Sequence, residues 1–335
     1  MHKNTIQSIS NQTGYSVSTV SRVLSGKAER SRISQKAVEV ITAEAKRVNY
    51  TPNLLAQGLR TNRTYTIGLT VPGIENPFFA ALAGTVIEYL KNAGYHTLLA
   101  DSLENPQDFE NSLVMFRSRS VDGIIAVPVG TPGGLFDEIT GNIPTVLIDR
   151  YFEGTGLPYI CTDNYEGGFM ATEYLIRRGY RNILSIQGVP DSTPSRERVR
   201  GFLGAISAHS EKDVKYAVVG DAFSVESGYN QVIKQFREGI AFDAVFAYSS
   251  TILLGAIRAF RELGIKVPGD VGIISFDNNG FLDFLDPAIT RIEQPLGEIG
   301  RLASETVIGL ITDKASDRPV IQQLIRPTLV VRDSC

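Results

Sequence analysis

The chain has 335 residues, 43% hydrophobic and 21% charged, an ordinary globular composition that excludes a disordered, fibrous or coiled-coil chain. No apolar run approaches the roughly 18–20 residues of a membrane span, and the polar start Met1-His2-Lys3-Asn4-Thr5 is not a secretory signal. The net charge of −3 conceals an asymmetry: residues 1–63 hold ten Lys+Arg and three Asp+Glu, so a +7 head precedes a −10 body.

The head reads as three short helices. Thr5 caps the first, with Ile6 and Ile9 apolar and Gly14 breaking it. Ser16 caps a second, whose Val20, Val23 and Leu24 share one face while Val17, Ser18, Ser21 and Arg22 include the outward positions. Ser34 caps a third with Val38, Ile41, Ala45 and Val48, ending before Pro52. Two helices across a glycine turn with a bracing helix make a helix-turn-helix, and the basic charge expects a polyanion partner. Residues 53–60 are compatible with a helix too short to stand alone, which Gly58 weakens further; they are expected to fold on contact.

From Tyr65 the pattern alternates strand and helix to about residue 313. Apolar runs at 66–71, 97–100, 123–127, 145–148, 160–162, 183–186, 216–219, 244–247 and 271–276 read as strands. Amphipathic stretches at 79–91, 108–119, 167–178, 195–208, 225–237 and 251–263 read as helices between them. This alternation means parallel sheets covered on both faces, and the strand number implies two similar halves dividing near Thr162–Tyr165.

Ligands bind beyond the carboxyl ends of such strands. Asp101, Asp149, Arg150, Asp163, Asp221, Asp277 and Asn278 stand there, near Phe78, Phe79, Phe223 and Phe281. Acids, amides and guanidinium groups around aromatic rings suit a small polar ligand such as a sugar. There is no GxGxxG, GxxxxGK[ST] or GxSxG motif, and His2, His96 and His209 lack metal-ligand spacing. Two cysteines without a CxxC pair support neither a disulfide framework nor a zinc site. The expectation is a cytoplasmic binding protein without catalysis, metal or cofactor.

The residues resemble the LacI/GalR family of bacterial transcription regulators over nearly the whole chain. The head carries this in Thr5-Ile6, Gly14-Tyr15-Ser16, Ser18-Thr19-Val20-Ser21-Arg22-Val23-Leu24 and Asn49-Tyr50-Thr51-Pro52-Asn53. The hinge carries it in 56–60, and the body in Asn76-Pro77-Phe78-Phe79, Arg198-Val199-Arg200-Gly201-Phe202, Phe276-Asp277-Asn278 and 326–332. The resemblance implies a homodimer on a pseudo-palindromic operator. Val17, Ser18 and Arg22 would lie nearest base edges, and Ser16 and Ser21 would touch phosphates. Thr5 and the hinge residues Asn53 and Ala56 join the DNA contacts, and Leu59 would wedge into the minor groove.

It also implies an α/β core of two doubly wound parallel-sheet subdomains, periplasmic-binding-protein-like, behind an all-α helix-turn-helix domain. The expected segments are 1–52 (DNA-binding), 53–64 (hinge and linker), 65–163 with 292–322, and 164–291 with 323–335. Effector contacts fall on Phe78, Phe79, Asp101, Asp149, Arg150, Arg198, Phe223, Ser249 and Asp277. Ser249-Ser250 stands where family members commonly carry Asn-Asp, so a standard hexose contact set does not carry over. The effector is expected to be a sugar or sugar derivative, with a purine-type co-repressor as the alternative and a solute-binding protein without a DNA role as the other. The end at Cys335, with no leucine-heptad tail, favours a dimer over a tetramer.

Overall fold

The computed structural model describes residues 5–24, 28–29, 31–50, 63–313 and 319–335. The chain divides into two compact units, Met1–Thr64 and Tyr65–Cys335. In the first, α1 (Ile6–Thr13), α2 (Val17–Leu24) and α3 (Gln35–Arg47) form the described helices. Each start follows from its cap. Thr5 Oγ1 accepts the Ser8 N–H and Ser8 Oγ accepts the Thr5 N–H, a reciprocal capping box. Gly14, at φ +74°, closes α1 in the left-handed conformation. Ser16 Oγ accepts the Thr19 N–H, and Ser34 Oγ that of Ala37. The amphipathic faces meet in a small core of Ile9, Val20, Val23, Ile41 and Ala45, with Tyr15 and Tyr50 packed against it. On α2 this leaves Val17, Ser18 and Arg22 exposed on the opposite face. The expected hinge contacts Asn53, Ala56 and Leu59 lie outside the described residues.

The second unit holds two six-stranded sheets. In the first lobe the strands are β1 (Thr66–Val71), β2 (His96–Asp101), β3 (Gly123–Ala126), β4 (Thr145–Ile148), β5 (Tyr159–Thr162) and β11 (Gln322–Ile325). They lie in the order β11-β5-β4-β3-β1-β2, all parallel. Helices α4 (Pro77–Asn92), α5 (Pro106–Ser118), α6 (Gly134–Thr140) and α11 (Leu296–Thr312) belong with this lobe. The second lobe contains β6 (Asn182–Ile186), β7 (Lys215–Val219), β8 (Ala244–Ala247), β9 (Gly272–Phe276), β10 (Thr290–Glu293) and β12 (Thr328–Val330). Its order is β12-β10-β9-β8-β6-β7, parallel except for the antiparallel edge strand β12. Its helices are α7 (Asn164–Arg177), α8 (Thr193–Ala208), α9 (Val225–Arg237) and α10 (Ser250–Leu263). Strands β3, β4, β8 and β9 are buried throughout, which is why each reads as a mainly apolar run, with Thr145 and Ser275 the polar exceptions.

The chain crosses between lobes three times, and two crossings fall later than expected. Ile292 and Glu293 belong to β10 of the second sheet, whose residues 290–292 pair with Ile274–Phe276. The return to the first lobe therefore follows Glu293, where the sequence placed it at 291/292. Strand β11 pairs with β5 through Ile325, so the last crossing follows Ile325, against the expected 322/323. The long-range pairing of these two short strands sets both boundaries, and it leaves no local signal.

One packing detail prepares the site. Helices α7 and α8 meet backbone to backbone at Gly168 and Gly201: a Cβ at either would collide with the carbonyl oxygen of Arg198 or Tyr165 respectively. This close approach brings Arg198 of α8 against Asn164 at the start of α7.

Candidate functional site

The carboxyl ends of both sheets face one cleft, lined from both lobes. After β1, Asn76 Oδ1 accepts the Phe78 N–H at 3.0 Å and caps α4, with Pro77 at the first helical position. The cap fixes Phe78 and Phe79 in the first turn, both buried, their rings edge to face at 5.0 Å. Asp149 follows β4 and Asp277 follows β9; each is buried and left-handed, at φ +62° and +78°. Such backbone is uncommon outside glycine, although Asp tolerates it better than most residues. Each lobe thus turns one carboxylate into the cleft at a matching strand end.

Both carboxylates act electrostatically on Arg198, also buried. Its Nε donates to Asn164 Oδ1 at 2.8 Å, its Nη1 donates to the Tyr248 carbonyl, and its guanidinium carbon lies 3.6 Å from the Phe276 ring centroid. Arg150 is gripped bidentately by Glu104 at 2.5 and 2.7 Å. Gln294, just beyond β10, accepts from Thr162 Oγ1 at 2.6 Å and donates to Asp277 Oδ1 at 2.7 Å, tying both lobes to one carboxylate. Asp277 Oδ2 accepts the Ser250 N–H at 3.2 Å. Among the described residues Asp149 accepts no hydrogen bond, and its nearest cation atom is Arg150 Nε at 3.6 Å. That Nε has no partner of its own. A carboxylate that accepts no hydrogen bond beside a buried guanidinium N–H without a partner is what a polar ligand would complete.

Burial pushes Asp149 up to about 6, with Arg150 and Arg198 opposing it in part. Burial also raises Asp277, against the pull of Arg198 and of its hydrogen bonds from Gln294 and Ser250. Arg198 is lowered by burial, with the two carboxylates opposing. Because Asp149 sits above its ordinary 3.8, the folded body holds an extra proton from there to about pH 6 and loses stability as pH rises through that window. Asp149→Asn is therefore expected to stabilise the ligand-free body at pH 7.5 by on the order of 2 kcal/mol and to flatten the loss between pH 4 and 6. Urea unfolding at pH 5 and 7.5 measures this; an unchanged pH slope would assign the window to another group.

Of the expected effector contacts, Phe78, Phe79, Asp149, Arg150, Arg198, Phe223, Ser249 and Asp277 line the cleft. Asp101 does not. It ends β2, the edge strand of its sheet, and its carboxylate accepts the N–H groups of Ile74 at 2.9 Å and Leu103 at 3.0 Å. Its task is to pin the loop leading to Asn76. The lining also includes Asn76, which the sequence places at a strand end but not among the effector contacts, and Pro194 and Gln294, which it does not single out. The Asn-Pro pair before Phe78 could have exposed Asn76 as a cap; Gln294 carries no such signal. Among the described residues no group of three or more His, Cys, Asp or Glu is placed to hold a metal ion.

Residues 5–53 match the family model of bacterial regulatory proteins of the lacI family, and residues 172–335 match that of the periplasmic binding protein-like domain. The ribose operon repressor of Halalkalibacterium halodurans is 30% identical over 330 residues, covering 98% of this chain and 96% of that protein. The chain belongs to the LacI family. The repressor PurR of Pectobacterium atrosepticum is 32% identical over 337 residues, with 98% and 96% covered. A periplasmic binding protein/LacI transcriptional regulator from Alkaliphilus metalliredigens, solved with D-xylulofuranose, is 29% identical with a TM-score of 0.73, covering 81% of this chain and 98% of that one. The LacI family is one of transcriptional regulators, not enzymes, and the matched head sets this chain apart from a solute-binding protein with no DNA role. No helix among the described residues is long and apolar enough to cross a membrane.

Proposed function

We propose that this LacI-family regulator is a cytoplasmic repressor that binds a pseudo-palindromic operator as a homodimer and responds to a neutral monosaccharide. The observation that carries the effector class is the pair of buried carboxylates, Asp149 and Asp277, flanking Arg198 beside Phe78 and Phe79. A sugar ring offers hydroxyls that donate to carboxylates and accept from a guanidinium, and C–H faces that rest on aromatic rings. With Glu104 and Arg150 counted, the five charged groups around the cleft sum to −1, which disfavours sugar phosphates and sugar acids. A purine base has no hydroxyl, the one group that can both donate to a carboxylate and accept from the neighbouring guanidinium. The xylulofuranose held by the Alkaliphilus relative and the name of the Halalkalibacterium one support the same reading. DNA contact is assigned to Val17, Ser18 and Arg22 of α2, with Ser16, Ser21 and Thr5 at phosphates and Asn53, Ala56 and Leu59 at the hinge.

A thermal-shift panel of neutral monosaccharides, sugar phosphates, sugar acids and purine bases tests the effector class. A ligand at about 100 times its Kd should add ~2.7 kcal/mol, a rise of several degrees in Tm. The expected hit is a neutral monosaccharide; a response confined to purines or to anionic sugars would replace this reading.

A further inference from the structure

The cleft wall between β8 and α10 has a hydrogen-bond polarity that its residue names do not disclose. Thr251 Oγ1 lies 3.0 Å from the Phe223 carbonyl oxygen, which can only accept, so the one hydroxyl proton of Thr251 is placed there. The 2.8 Å contact between Ser249 Oγ and Thr251 Oγ1 then has Ser249 as donor. Ser249 Oγ also accepts the Ile252 N–H at 3.2 Å, as the cap of α10. Its proton and one lone pair are committed, and a single lone pair remains. Ser249 is buried and lines the cleft beside Phe223 and Asp277.

We propose that Ser249 is a specificity-determining residue that offers the effector an acceptor only, so that the ligand group seated against it is a donating hydroxyl. A ring oxygen, carbonyl or phosphoryl oxygen at that place would meet a lone pair with no proton between them. Reversing the relay would take the Thr251 proton from the Phe223 carbonyl and leave that acceptor unsatisfied, which opposes adaptation to such a ligand. An amide side chain at this position would supply donors as well as an acceptor; serine held in this relay cannot. Together with the carboxylates of Asp149 and Asp277, Ser249 gives a cleft with three acceptor stations, facing the donors of Arg198. The ligand it selects is defined by the hydroxyls it can donate.

This proposal rests on the monosaccharide reading and is tested on the full chain by titration calorimetry. D-Ribose, D-xylose, D-arabinose, D-glucose, D-galactose and D-fructose are titrated first. The tightest binder is then compared with its singly deoxygenated and singly fluorinated analogues. Fluorine replaces a hydroxyl without a proton to donate. At one ring position both analogues should lose affinity alike, roughly tenfold. In Ser249→Ala the parent sugar should fall to the level of that deoxy analogue, whose own affinity stays unchanged. In Thr251→Val, which releases the Ser249 proton, the fluorinated analogue should regain part of its loss over the deoxy one. Full affinity for every fluorinated analogue, or a Ser249→Ala loss equal for the parent and all analogues, would overturn the proposal and leave the monosaccharide reading standing. If none of the six sugars binds, the monosaccharide reading falls, and this proposal with it.

Discussion

Replacing Arg198 with alanine is expected to abolish effector binding, a loss of at least a hundredfold, and to destabilise the effector-binding body by about 3–5 kcal/mol. The magnitude follows from what the guanidinium holds. It is buried within electrostatic reach of Asp149 and Asp277, bonded to Asn164 and the Tyr248 carbonyl, and stacked on Phe276. Its loss leaves two buried carboxylates without their shared cation, so both move further up from the ordinary carboxylate range. Each then releases its proton at higher pH than in the parent protein. The destabilisation should accordingly be larger at pH 8 than at pH 5, which urea unfolding at the two pH values reads directly. Arg198→Lys keeps a charge but not the fork that reaches Asn164 and Tyr248 together, and should recover only part of the stability. The helix-turn-helix head is a separate compact unit, so operator binding by the variant should persist while the effector response disappears. A variant that still responds to the effector would place the binding site elsewhere.

The same geometry supplies a coupling between cleft and lobes. Gln294 joins the end of β5, through Thr162, to the carboxylate of Asp277, and it sits on a crossover segment between the lobes. Thr193 Oγ1 at the start of α8 donates to the Tyr151 carbonyl at 2.8 Å, and Arg196 pairs with Glu153 at 2.6 Å, both from second lobe to first. A ligand that engages Asp149 on one lobe and Asp277 on the other has different contacts in open and closed arrangements. That difference is the free energy available to shift operator affinity, and the shift must be reciprocal.

How much of this was legible in the sequence depends on whether the signal is local. Val20 and Val23 against Val17, Ser18 and Arg22 is a local alternation, and the caps Thr5, Ser16 and Ser34 are local chemistry; the three helices of the head read directly. Strands β1, β4 and β8 read correctly because burial on both faces makes them mainly apolar, with Thr66, Thr70 and Thr145 the polar exceptions. Strand β11 is different: Gln322, Gln323 and Leu324 are exposed at a sheet edge, and only pairing with β5 makes them a strand. Helices α6 and α11 and strands β10 and β12 fall outside the runs read from the sequence for kindred reasons, being short or set by distant partners. Asp101 and Asp149 are indistinguishable as residues, since each closes an apolar run. The sheet order separates them: β4 lies between β3 and β5, whereas β2 is an edge whose terminal carboxylate serves its own loop. Gln294 lies on a crossover that no periodicity marks. The polarity of Ser249 depends on a contact between Thr251 and Phe223, which lie on different elements.

The second large effect is expected in the head, where Arg22→Ala should reduce discrimination between operator and unrelated DNA by about 1–3 kcal/mol per half-site. In a dimer the two losses combine, so the ratio of specific to non-specific affinity should fall by roughly one to four orders of magnitude. The placement behind this is simple. Arg22 stands on the exposed face of α2, opposite Val20 and Val23 in the three-helix core, with Val17 (41% exposed) and Ser18 on the same outward surface. Small residues flanking one long guanidinium let a helix sit deep in the major groove while the arginine spans two acceptors of a guanine. Anisotropy titrations with a duplex selected from random sequence, and with its scrambled counterpart, measure the ratio at two salt concentrations. A base-reading arginine loses affinity chiefly for the selected duplex. An arginine that meets phosphate would instead weaken both duplexes alike and lower the salt slope by about one. The effector titration of the variant should match the parent protein, because Arg22 belongs to a unit with its own core. Equal losses on both duplexes would move base recognition to Val17 and Ser18, and Ser18→Ala would then be the variant that relaxes selectivity.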